Sequence, residues 1–280
     1  MKTALWWVRR DLRLSDNQAL TTALSQAEQV VPVFVLDPKL LTSPYASEKR
    51  LAFLYAGLRA LDEDLRKIGS RLIVRRGEPV QTMADLLRDT GAEAVFAEAD
   101  YTPYARRRDQ RVMQTLPLDL LPGLSVYQPQ EVVKADGAPY TVFTPFGKAW
   151  LDRPRWDKPL PAPGRISTPE DIQSEAIPVS VQKIPFLAGE AEAQRRLAGF
   201  SEEPIYQYGD GRNRMDLAGT SGLSPYLRFG MLSARQAAEA ARQAEMLAVD
   251  NTARRGTQTW LNELIWREFY IAILYHFPFV

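Results

Sequence analysis

The sequence predicts an α/β fold: an N-terminal, doubly wound parallel sheet of five strands, then a linker, then an incomplete all-helical domain. Three observations predict it. Up to about residue 130, short apolar runs alternate with longer stretches of helical spacing, which is the pattern of a parallel sheet wrapped by helices. Residues 129–185 then carry prolines at 154, 159, 161, 163, 169 and 178, with little periodicity. From residue 190 onward the patterning is helical, with no convincing strand. These shifts place domain limits at 1–130, 131–189 and 190–280.

Residues 3–8 are a buried strand running into a polar loop with Arg9, Arg10, Asp11 and Arg13. Residues 17–27 have helical spacing. Residues 30–36 are β-branched and apolar, a second strand stopped by Asp37-Pro38. Leu51, Leu54, Tyr55, Leu58, Leu61, Leu65 and Ile68 form one stripe on a helix over 47–68, ended by Gly69. A third strand is expected at 71–74. Gly77-Glu78-Pro79 opens a helix that Gly91 closes. A fourth strand lies at 94–97, a basic helix at 104–116, and a fifth strand at 124–127. No Gly-rich turn follows the first strand, which argues against a dinucleotide site of the usual kind.

Composition narrows the chemistry. The chain has 280 residues, 45% of them hydrophobic and 25% charged, which is ordinary globular composition with enough apolar material for a core. It has no cysteine and one histidine, His276, so disulfides, thiolate metal sites and multi-histidine sites are excluded. His276 is expected to be a core or cap residue. The start is too short and too charged for a signal peptide, and no apolar run reaches the roughly 18 residues of a membrane span. A soluble, cytoplasmic monomer is expected. The net charge of +1 gives no overall pull on nucleic acid, so any such face must come from locally grouped arginines. The run Arg106-Arg107-Arg108 with Arg111 reads as a solvated face.

The most informative stretch is 257–278, TQTWLNELIWREFYIAILYHFP. On a helical wheel it is apolar almost all round, so a helix buried on every side is expected. Yet it holds Asn262, Glu263 and Arg267, and buried charges are costly unless paired or used. Trp260 and Arg267 share one face; Glu263 and Trp266 share the adjacent one. Either Glu263 and Arg267 form an i,i+4 salt bridge, or each face serves a ligand. Upstream, Thr220-Ser221-Gly222-Leu223-Ser224 puts three hydroxyls in a small-residue turn before Pro225. That is either an anion cradle or an ordinary serine-capped helix start.

TWLNELIWREFY resembles the flavin- and substrate-contacting helix of the DNA photolyase/cryptochrome family, most of all the class I enzymes for cyclobutane pyrimidine dimers. WWVRRDLRLSDN, TVFTPFGKAW and GTSGLSPYLRFG resemble three further family segments, in the family's order. The resemblance implies that 1–130 is the antenna-type domain and 190–280 the N-terminal part of the helical FAD-binding domain. It implies light-driven repair of pyrimidine dimers in DNA by electron transfer from reduced FAD. Tyr208, Thr220, Ser221, Gly222, Leu223, Ser224, Trp260, Asn262 and Arg267 would contact FAD. Arg212, Glu263 and Trp266 would contact DNA, the last two as the catalytic pair facing the flipped-out lesion.

The resemblance also leaves room for a second, antenna chromophore, a folate or a deazaflavin, near residues 34–38, Arg50 and Asp100; Thr102 stands where the folate-type carboxylate is expected. Family members run well beyond residue 280. The chain is therefore expected to be a truncated form, inactive in repair alone and apolar at its C-terminal surface. Two other readings stay open: a cryptochrome-type blue-light flavoprotein without repair activity, and a nucleotide-binding or scaffolding protein built on the α/β domain.

Overall fold

The computed structural model describes residues 1–280. In chain order, β1 (Thr3–Val8), α1 (Gln18–Gln26), β2 (Gln29–Leu36), α2 (Pro38–Leu41), α3 (Glu48–Lys67), β3 (Ile73–Arg76), α4 (Pro79–Thr90), β4 (Ala94–Glu98), α5 (Pro103–Met113) and β5 (Leu118–Leu121) form the α/β part. The sheet order is β3-β2-β1-β4-β5 and every pairing is parallel. The order reverses at β1, which opens a crevice beyond the carboxyl ends of β1 and β4.

Side-chain alternation divides the core in two. Ala4, Trp6 and Val8 of β1, with Val30, Phe34 and Leu36 of β2, face α1 and α3. Leu5, Trp7, Val31, Val33 and Val35 face the opposite way, toward α4 and α5. Burial on both faces explains why β1 is an unbroken apolar run.

The fifth strand is the main correction. It lies at Leu118–Leu121, bracketed by Pro117 and Pro122, and not at 124–127. Residues 124–127 are apolar for another reason: they are buried against the C-terminal helix rather than in the sheet. The 131–189 stretch also holds a helix, α6 (Phe143–Leu151). Beyond it the chain runs along the sheet's flank, where Val30 donates to the Ser167 carbonyl, Ile166 to Ile68, and Glu175 to Val74.

The helical part comprises α7 (Glu190–Glu202), a 3₁₀ turn (Pro204–Gln207), α8 (Tyr208–Gly211), α9 (Ser224–Phe229), α10 (Ala234–Leu247) and α11 (Asn251–His276). α11 starts six residues earlier than its apolar pattern. Asp250 caps it by accepting from the Ala253 amide at 2.7 Å, and its first turns are polar. Inside it, Gly256 lets the helix lie against the Ile205 and Tyr206 carbonyls, where a Cβ would come within 2.6 Å and 2.2 Å.

The two parts share one core. The cluster containing Trp6 and Phe34 continues through Leu12, Tyr226, Leu227 and Met231 to Trp260 and Phe269. A polar knot reinforces it. Asp16, fully buried with φ +51°, accepts from Ser233 and Arg235 of the helical part and, at 3.0 Å, from the Leu160 amide. Arg13 donates to Glu98 at 2.8 Å and to the Gly230 carbonyl at 3.2 Å. No helix is long and apolar enough to cross a membrane.

Candidate functional site

α11 is not buried all round. Trp260, Leu261, Leu264, Ile265 and Phe269 face inward, whereas Glu263 and Trp266 are half-buried and Tyr270 is 62% exposed. These last three recur at i, i+3 and i+7, so they line one open stripe. An all-apolar pattern cannot distinguish a face that packs on protein from one left open.

The expected groups separate. The i,i+4 pair of Glu263 with Arg267 does not form: Glu263 is bonded to Arg212 Nη1 at 2.5 Å. The Arg212 guanidinium also lies 5.8 Å from the Tyr208 ring centroid. Three expected site residues, Tyr208, Arg212 and Glu263, are therefore neighbours. Trp266 is stacked on Phe143, with ring centroids 3.6 Å apart and planes 6° from parallel. Asn262 is half-buried beside this stripe.

Trp260 and Arg267 do not form a shared ligand face. Trp260 is buried with its ring 5.1 Å from Phe200 of α7. Phe200 in turn meets Tyr208 edge-on at 5.8 Å. Arg267 donates to the Leu124 carbonyl at 3.0 Å and the Leu227 carbonyl at 3.4 Å. Burial pushes its guanidinium down to about 10, against the opposing pull of Glu268. No carboxylate hydrogen-bonds it: its donors meet two backbone carbonyls, and Glu268 acts on it only as a nearby charge.

The 220–224 turn leads into α9. Gly222 sits at φ +62°, a conformation that favours glycine. A Cβ there would lie 3.4 Å from Arg196 Nη1. Leu223 is buried, while Thr220 and Ser224 are exposed. The turn thus presents hydroxyls to solvent with a guanidinium behind it, a donor set that fits a phosphate-bearing group. Arg267 makes no hydrogen bond to that turn: its two bonds run to the carbonyl of Leu124 and to that of Leu227, which lies three residues past Ser224 on α9, about 4.5 Å along at 1.5 Å per residue.

A cavity of about 400 Å³ opens at the carboxyl ends of β1, β2 and β4, lined by Arg10, Phe34, Asp37, Arg50, Asp100 and Arg228 among others. Arg10 pairs with Asp100 at 3.3 Å. Burial alone would raise the Asp100 carboxyl, but Arg10 and the Thr102 amide hold it below its ordinary range. Arg50 donates to the Tyr45 carbonyl. Arg228 has no carboxylate partner; the nearby charge of Arg10, and then burial, lower its pKa. Thr102 caps α5, accepting from the Ala105 amide.

Four residues of consequence escaped the sequence reading. Phe143, inside the TVFTPFGKAW segment, Arg196 and Arg228 were not singled out as site residues. Glu268, next to Arg267, is buried and accepts from Trp150 Nε1 at 2.7 Å and from the Val126 amide at 2.5 Å. It joins α6 and the 124–127 segment to α11. The basic run is a solvated face except at one position: Arg106, Arg107 and Arg111 are exposed, with Arg106 4.3 Å from the Tyr275 ring centroid, whereas Arg108 is buried against Asp109. His276 ends α11, its Nε2 3.3 Å from the Pro129 carbonyl.

Comparison with known proteins fits this geometry. Residues 4–164 match the family described as DNA photolyase. The chain is 36% identical, over 295 residues, to a deoxyribodipyrimidine photo-lyase of Synechococcus sp. (PCC 6301), covering 98% of this chain and 60% of that protein. It is 37% identical to an uncharacterized 31.6 kDa protein of Synechococcus sp. (PCC 6716), covering 95% of this chain and 98% of that protein. A class III photolyase structure from Agrobacterium tumefaciens superposes with a TM-score of 0.86 at 26% identity, covering 99% of this chain and 60% of that one. The chain spans about 60% of the length of the Synechococcus photo-lyase. The family match over more than half its residues, together with 36% identity to the Synechococcus photo-lyase along 98% of the chain, shows that the chain belongs to the DNA photolyase family.

Proposed function

We propose that the chain carries the lesion-contacting surface and part of the flavin cradle of a light-driven enzyme for cyclobutane pyrimidine dimers in DNA. The observation that carries this reading is the open stripe of α11, where Glu263, paired with Arg212, lies beside the flat ring of Trp266. Trp266 offers a stacking surface to a flipped-out lesion. Glu263 accepts hydrogen bonds from base edges, and Arg212 places a cation for a backbone phosphate. Thr220, Ser221, Gly222, Leu223 and Ser224 suit the phosphate-bearing part of FAD, Tyr208 and Asn262 would add further contacts, and Trp260 supports Tyr208 through Phe200. Arg267 would have to release a carbonyl to join them. Reduced FAD, when bound, supplies on blue-light absorption the electron that opens the cyclobutane ring, and takes it back. The cavity beside β1 and β4 suits a planar, anionic second chromophore, with Arg10, Arg50 and Arg228 as its cations.

The test is equilibrium binding of the purified chain to a thymine-dimer oligonucleotide and to its undamaged twin, followed by illumination with reduced FAD. Preference for the dimer, lost in Trp266→Ala, supports the reading. Equal binding of the two oligonucleotides overturns it, and flavin uptake without dimer preference favours the cryptochrome-type alternative.

A further inference from the structure

Phe143 and Trp266 come from opposite sides of the molecule's joint, one opening α6 and the other midway along α11. Their rings lie almost face to face, 3.6 Å apart at 6°. Two free aromatic rings prefer an offset or edge-to-face contact to a sandwich. The sandwich is therefore set by the framework that carries the rings. Phe269, which is buried, meets both edge-on, at 5.8 Å and 78° to Phe143 and at 5.7 Å and 81° to Trp266. On the other flank, Gly147 leaves room for the Phe143 ring: a Cβ there would sit 3.4 Å from Cζ. Phe143 is thus wedged in place, and one face of the indole is covered.

Resting on the repair reading above, we propose that Phe143 is a positioning residue for lesion recognition, a backing plate that fixes the plane of Trp266. A lone indole on an open helix stripe rotates among rotamers and must be immobilised when a base stacks on it, which weakens binding. With Phe143 behind it, that ordering is complete before the ligand arrives. The backing also makes the platform one-sided. A planar lesion can stack only where Phe143 and Tyr270, whose ring centroid lies 5.7 Å from that of Trp266 at 27°, leave the indole uncovered.

The test compares Phe143→Tyr, which keeps a flat ring, with Phe143→Leu, which keeps apolar volume without one. Affinities for the thymine-dimer and undamaged oligonucleotides are measured for both variants and for wild type, with thermal melts alongside. The expected result is that Leu lowers the preference for the dimer about tenfold, while Tyr holds it within about twofold and undamaged binding stays level for both. Full dimer preference in a folded Leu variant overturns the proposal, since packing alone would then suffice. Loss of preference in a folded Tyr variant overturns it equally, and this arm stands even if Leu fails to fold. A wild type with no dimer preference sinks the repair reading itself, and Phe143's role in recognition with it; intact preference in wild type and in Leu sinks only the role of Phe143.

Discussion

Arg212 Nη1 lies 2.5 Å from Glu263 Oε1, bridging the loop after α8 to the open stripe of α11. Both side chains are about one-third exposed, so the pair contributes little to folding, on the order of 0–1 kcal/mol. Arg212→Ala is therefore expected to leave the melting temperature almost unchanged. If the guanidinium also meets a DNA phosphate, the variant binds dimer DNA about tenfold more weakly, and the log–log salt slope falls by about one. Anisotropy titrations at several salt concentrations check this. An unchanged slope would mean that Arg212 serves Glu263 alone.

Glu268 is expected to matter far more for stability than the half-buried Glu263 on the same helix. Glu268→Ala would orphan Trp150 Nε1 and the Val126 amide and leave Arg267 without its adjacent negative charge. A loss of roughly 3–5 kcal/mol is expected in urea unfolding. Glu263→Ala under the same conditions should cost less than about 1 kcal/mol.

Gly230 ends α9 at φ +67°, and a Cβ there would lie 1.8 Å from the Arg10 carbonyl oxygen. Neither the backbone conformation nor the space admits alanine. Gly230→Ala is expected to destabilise by several kcal/mol, or to give insoluble protein. Gly164→Ala, where nothing lies within 4 Å, serves as the control and should be neutral. Soluble yield and melting temperature read both.

Glu98 gives a pH dependence with a definite sign. Burial raises its carboxyl from the ordinary 4.5 to about 7, against the opposing pull of Arg13. Between those values the folded protein holds a proton that the unfolded chain has lost. Stability is thus highest below about pH 4.5 as far as this group is concerned, and falls as pH rises to 7. The contribution is at most about 3 kcal/mol. Urea melts at pH 5 and pH 8 should show the decline, and Glu98→Gln should flatten it. An identical decline in the variant would assign it to other groups.

The sheet was legible because parallel strands buried on both faces are unbroken apolar runs, and residues 3–8 and 30–36 could be little else. The fifth strand misled because two apolar segments lie three residues apart. The one nearer the polar edge, with Asp119 in it, is the strand, and the cleaner one packs under α11. The site was legible only as a set of residue types. Glu263 and Trp266 do share a stripe, as their spacing required. The partner of Glu263 lies 51 residues away and the ring on Trp266 lies 123 residues upstream, distances at which no periodicity speaks. Arg267 shows the limit most plainly, since its helix position implied a ligand face while its fork of donors had found two carbonyls.

Asp16 takes hydrogen bonds from residue 160 as well as from Ser233 and Arg235. Sheet, strap and helices are thus riveted at a single buried carboxylate. Rocking one against another would have to break those bonds, whereas the exposed run from 212 to 218 can yield to a guest without doing so.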